Sequence, residues 1–179
     1  CGFFGTGFEE IEALTVVDIL RRAGIETDMV SVMDQRTVMG SHQIPVVMDK
    51  LLSEVDFGSV DVLILPGGLG GTKNLEANEA LMEQVDAFAG NGKMVCAICA
   101  APSILGHRGI LKGKKAIAYP GFEDQLTGAQ VVDEPVVRDG NIITGRGMGC
   151  SIPFALEILK YLTDEETAKE MAEKIVYQS

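Results

Sequence analysis

No apolar run in this chain approaches the roughly 18 residues that a membrane-spanning helix needs, so no membrane segment is expected. Positive charge is also scarce. Fifteen Lys and Arg stand against 26 Asp and Glu, a formal net charge of −11. Nucleic-acid binding needs a basic surface, so that class of partner is excluded. Cysteine is limited to four residues at irregular spacing, which make no disulfide framework. A chain of 179 residues can do without one, and a cytoplasmic, reducing compartment is expected. No second C-x-x-C and no clustered His supports a zinc site, so no metal is expected. No secretory leader is visible. The chain opens at Cys1 without a Met and starts inside a strand, so a few preceding residues are expected. Length and a hydrophobic content of 46% fit a single domain over residues 1–179. A chain this long buries about 70% of its unfolded surface.

What is present centres on Lys93–Leu105, K-M-V-C-A-I-C-A-A-P-S-I-L. Met94 to Ile98 reads as a buried strand. Cys99 follows at once, and Ala100 to Leu105 read as helix, with Pro102 early enough to be tolerated. With no loop between them, the turn falls on Cys99. Such an elbow puts its central residue in sparsely populated backbone space, at a cost of roughly 1–3 kcal/mol. Ala97, Ala100 and Ala101 relieve the crowding. A helix N-terminus behind the thiol would lower its pKa from about 8.5. The plain alternative is that Cys99 is a small buried hydrophobe. Cys96 lies inside the strand. Three strand residues span about 10 Å, too far for a disulfide, so Cys96 is read as core.

Along the chain, Cys1–Gly5 ends a strand and Thr6-Gly7 turns. Ala13, Val16, Val17, Leu20 and Gly24 then line one face of a helix closed by Ala23-Gly24. Ile11, Leu14, Thr15 and Ile19 form a second, partly apolar face, which a partner subunit could cover. Strands are expected at 27–32, 60–65 and 115–119. A hairpin is expected around Gly40-Ser41-His42. Short antiparallel strands are expected at 130–132, 135–138 and 141–144, the last two joined by Asp139-Gly140. Helices are expected at 78–89, 149–162 and 164–177, with Asp164 an N-cap. Strands alternating with helices mean α/β with a mainly parallel sheet. Its site lies at the carboxyl ends of the strands. Thr6-Gly7, Pro66-Gly67-Gly68 and the elbow all land there, which favours a functional Cys99.

The N–H groups of Gly67, Gly68 and Ala100 are candidate oxyanion donors, or the glycines merely make a tight turn. Glu12, between Ile11 and Ala13, can face inward. A buried carboxyl has a raised pKa and stays protonated as a donor to the thiol. The alternative is a solvated helix charge, the reading preferred for Glu9 and Glu10. Cys150 precedes a helix and is a second candidate thiol. His107, past the elbow helix, is read as surface.

These residues resemble the ThiJ/PfpI superfamily, in the branch of the Parkinsonism-associated protein deglycase and its bacterial relatives. The resemblance rests on G-F-E-E-I-E-A at 7–13, R-R-A-G-I at 21–25, D-V-L-I-L-P-G-G at 61–68, A-I-C-A-A-P at 97–102, and G-R-G-M-G-C-S at 145–151 with F-A-L at 154–156. It implies a flavodoxin-like three-layer sandwich and a homodimer. It implies an oxidation-prone Cys99 hydrogen-bonded by Glu12, with Gly67 and Gly68 amides beside it. Tyr119, His42, Arg22 and Cys150 are then expected around the pocket. Tyr119-Pro120 stands where glyoxalase-active members often carry His-Pro, and His42 stands where a basic residue is common. The implied activity is cofactor-free glyoxalase or deglycase chemistry on small dicarbonyls such as methylglyoxal, linked to oxidative stress. The alternatives are a non-enzymatic redox sensor or chaperone and, more weakly, an amidase or peptidase.

Overall fold

The computed structural model describes residues 1–178. Short apolar strands supply the sheet. They are β1 (Gly2–Phe4), β2 (Met29–Ser31), β5 (Lys50–Leu51), β6 (Val62–Leu65), β7 (Met94–Ile98), β10 (Val136–Asp139) and β11 (Ile142–Gly145). Their order is β10-β11-β7-β6-β1-β2-β5. Within this sheet only the β10–β11 pair is antiparallel; the expected hairpin forms, but its turn is Gly140-Asn141, because Asp139 stays in the strand, paired with Ile142. The central strands β6 and β7 are buried at every position, as two-sided cover requires.

Helices lie on both faces. On one are α2 (Leu69–Glu76), α3 (Glu79–Gly90) and α4 (Pro102–His107), packed through Leu75, Leu81, Val85, Ile104 and Leu105. On the other are α1 (Glu10–Arg22), α5 (Ser151–Leu162) and α6 (Glu165–Lys174), packed through Val16, Leu20, Phe154, Ile158 and Met171. This is the flavodoxin-like three-layer sandwich. A hairpin of β3 (Thr37–Met39) and β4 (Pro45–Val47) covers a third cluster with Phe4, Phe8 and Val38. No helix among the described residues is long and apolar enough to cross a membrane.

Four expectations need correction. Helix α2 has no counterpart among the expected helices, because Gly70 and Gly71 disfavour helix in the sequence. Tertiary contact demands them: a Cβ on Gly71 would lie 2.6 Å from Phe8 Cα. The strand expected at 115–119 shrinks to β8 (Lys115–Ala116), which pairs with β9 (Gln130–Val131) in a separate two-stranded sheet. That pair is parallel, not antiparallel. Helix α4 begins at Pro102, not Ala100, so little helix stands behind Cys99. Finally, Ile19 is buried against the chain's own core rather than on an outer face of α1.

Candidate active site

Cys99 occupies the carboxyl end of β7 with φ +65°, the expected left-handed elbow. Both backbone groups of Cys99 are tied down. Its N–H donates to Gly145 O at 2.9 Å and its carbonyl accepts from Tyr119 N–H at 2.8 Å. Neighbours on two sides therefore hold the strained residue in place. The N–H groups of Gly68 and Ala100 face the sulfur.

Glu12 arrives from the first turn of α1 and is only 1% exposed. Glu9 caps that helix, accepting from Glu12 N–H at 2.7 Å. Sequence reasoning puts Glu9 in solvent and misses this role; an acidic residue three positions ahead of Glu12 is the signal. Gly67 N–H donates to Glu12 Oε2 at 3.0 Å. Glu12 Oε1 is buried with no hydrogen-bond partner of good geometry, and the thiol it couples to is that of Cys99. Burial pushes the Glu12 carboxyl up from 4.5 to about 7, and the Glu9 charge adds to the rise.

The thiol departs from the sequence expectation. Burial first, then the negative charge of Glu12, push Cys99 up to about 12. The Gly68 and Ala100 amides pull it down but do not prevail. The physical reason is that α4 is short and starts late, while Cys99 is half-buried beside an acid. The pair therefore holds one negative charge readily and a second only at high pH.

The other expected residues divide. Gly68 and Ala100 turn their N–H groups toward the sulfur and remain candidate donors. Gly67 is in the site, but its N–H is committed to Glu12, so it is no oxyanion donor. It is glycine for lack of room: a Cβ would lie 2.5 Å from Glu12 Oε2 and 2.6 Å from Cys99 Cβ. Tyr119 adjoins the elbow through its backbone. Cys150 caps α5 on the loop after β11 and is half-buried. Cys96 is core, fully buried with its thiol pushed up by desolvation. His107 is on the surface, paired with Glu76 at 2.6 Å.

Arg22 is not in the site. It pairs with Asp18 at 2.9 Å near the far end of α1, and ten residues of helix from Glu12 span roughly 15 Å. His42 is bound to Glu10 rather than to Glu12 or Cys99, its N–H donating to Glu10 Oε1 at 2.7 Å and its Nδ1 lying 3.0 Å from Oε2. Ser41 Oγ also donates to Glu10 at 3.0 Å. Glu10 is thus buried and fully bonded, not solvated. Ligand atoms of Glu9, Glu10 and His42 fall within 4.8 Å of one another, but these hydrogen bonds already occupy Glu10.

Comparison with known proteins places the chain in a family. Residues 2–161 match the DJ-1/PfpI family. The chain is 35% identical to protein dj-1beta of Drosophila melanogaster, over 95% of this chain and 92% of that one. It is 33% identical to the Parkinson disease protein 7 homolog of Danio rerio, over 95% and 92%. Among solved structures, oxidized Toxoplasma gondii DJ-1 superposes with a TM-score of 0.95 at 35% identity, covering 99% of this chain and 97% of that one. A cysteine-to-alanine mutant of a DJ-1 superfamily protein from Salmonella typhimurium gives 0.93 at 37% identity, with the same coverage. With these matches spanning most of its length, the chain belongs to the DJ-1/PfpI family.

Proposed function

We propose that this protein is a cysteine-dependent, cofactor-free enzyme of the glyoxalase or deglycase type, acting on small reactive dicarbonyls. One observation carries the reading: a carboxyl with a pKa of about 7, Glu12, is buried against the elbow thiol, Cys99. A base poised near the working pH is what proton transfer at carbon requires. No histidine is needed for that role, which accounts for Tyr119 at the His-Pro position.

For methylglyoxal, the Glu12 carboxylate takes the thiol proton as sulfur bonds to the aldehyde carbon. The developing oxyanion is held by the Gly68 and Ala100 amides. The proton passes from Glu12 to that oxygen, giving a hemithioacetal. Glu12 then removes the hydrogen on the former aldehyde carbon, and the resulting enediol is protonated on the adjacent carbon. Water hydrolyses the thioester to lactate and the free thiol. Methylglyoxal and one water become lactic acid, with no net redox change. The test is lactate formation by wild type, Cys99→Ser and Glu12→Gln. Lactate that disappears in both variants supports the reading. Lactate that survives Cys99→Ser overturns it.

A second reading is a sensor of oxidative stress. The same amides and the protonated Glu12 carboxyl are placed to hold the oxygens of an oxidised Cys99. Limiting peroxide should then add two oxygen atoms at Cys99 and stop there. Onward oxidation to the sulfonic acid at the same rate as in the unfolded chain would remove this reading.

A further inference from the structure

Three segments meet at Cys99, and each carries one large apolar side chain left in solvent. Leu69 directly follows Gly68, whose amide faces the thiol, and is 64% exposed. Tyr119, whose N–H binds Cys99 O, is 50% exposed. Met148 is 49% exposed and follows Gly147, where an added Cβ would sit 3.2 Å from the Tyr119 ring. The only cation in segments 67–72, 118–122 and 145–150 is Arg146, which Asp133 holds at 2.5 Å. These three segments thus offer apolar side chains and no unpaired cation, in a protein of net charge −11. The polar groups lie at the floor, namely the thiol, the Glu12 carboxyl and two amides, and they suffice for one carbonyl and its neighbour.

We infer that Leu69, Tyr119 and Met148 form a specificity rim, and that the preferred substrate is an uncharged 2-oxoaldehyde bearing an aryl or long alkyl group. The inference rests on the carbonyl chemistry proposed above and names its substrate class. The carbonyls bind at the floor, and the apolar substituent leaves water against the rim. Anionic sugars and their adducts find no free cation there and meet a field of their own sign.

Turnover of phenylglyoxal and of methylglyoxal is compared in wild type, Leu69→Ser and Met148→Ser. The expected kcat/KM ratio in wild type is about tenfold or more in favour of phenylglyoxal, falling toward unity in the variants. These exposed positions can be changed without disturbing the core. A second measurement is independent of turnover: alkylation of Cys99 by iodoacetamide and by N-benzyl iodoacetamide, which share one reactive group. Wild type should favour the benzyl reagent several-fold, and the variants should lose that preference. If neither dicarbonyl is turned over but the alkylation preference holds and falls in the variants, the rim stands and the enzymatic reading fails. Equal rates for both reagents in wild type would sink the rim. It would also fall if the variants changed oligomeric state and left the ratio intact, since the patch would then be a contact between copies.

Discussion

The Glu12 carboxyl and the Cys99 thiol both crowd Gly67, whose N–H binds Glu12 Oε2 at 3.0 Å while Glu12 Oε1 is buried without a hydrogen-bond partner. Burial raises both groups; the Glu12 charge raises Cys99 further, while the thiol draws Glu12 down, so the pair takes its first negative charge near 7 and its second only at high pH. Most of the site's behaviour follows from that order of charging.

The first prediction is kinetic. The reactive form is the singly charged pair, so alkylation of Cys99 by iodoacetamide should rise with pH through about 7. In Glu12→Gln that step should vanish, and alkylation at neutral pH should slow by about tenfold or more. At high pH the order reverses. Without the Glu12 charge, thiolate absorbance should appear at lower pH in Glu12→Gln than in wild type. A wild-type profile with a midpoint near that of a free thiol, about 8.5, would remove Glu12 from the site.

Stability should follow the same group. Glu12 has a folded pKa above its ordinary 4.5, so between 4.5 and about 7 the folded state binds more protons than the unfolded. Stability therefore falls as pH rises through that window, by roughly 3 kcal/mol at most. Glu12→Gln should abolish the slope and be the more stable protein at pH 8. Urea midpoints measured across the window decide this.

Gly67→Ala tests the lack of room. Its Cβ must displace either the Glu12 carboxylate or Cys99. Overpacking of this kind costs about 1–3 kcal/mol. The alkylation step near pH 7 should disappear along with it. A variant as stable as wild type, with its pH profile intact, would mean that the backbone yields there.

Glu10 has the opposite sign. Its bonds to His42 and Ser41 outweigh burial and hold it at about 2. Its stabilisation is present above 4.5 and is lost as pH falls toward 2. The imidazole of His42 is raised by Glu10, so the charged pair persists below the ordinary His range and fades as pH climbs through the raised value. The melting-temperature gap between wild type and Glu10→Gln should be widest in mildly acidic solution and narrow on both sides. A gap that is flat with pH would reduce the contact to neutral hydrogen bonds.

Assembly is the last prediction. Ile11 is exposed and Leu14 and Thr15 are half-buried on the outer face of α1. We expect a second copy to cover this face. Light scattering at micromolar concentration should report a dimer, and Ile11→Lys should weaken it.

The sequence by itself determined the central strands and the elbow cysteine. Uninterrupted apolar runs such as Val62–Leu65 and Met94–Ile98 have one use in a chain this size, and a strand running straight into a helix leaves only Cys99 to turn. Capping was equally local, so Asp164 binding Thr167 N–H at 2.7 Å was legible. Tertiary structure decided whatever depends on a neighbour distant in sequence. Helix α2 forms through its glycines because Phe8 presses on Gly71. Glu10 is buried because Ser41 and His42 come from a hairpin 31 and 32 residues away. Arg22 lies away from Glu12 because helix length carries it off, and the same hairpin ties His42 to Glu10. The direction of the Cys99 shift was beyond the sequence for the same reason. A thiol's pKa is a balance of burial, a facing charge and amide dipoles, and all three are set by which segments meet at the end of β7.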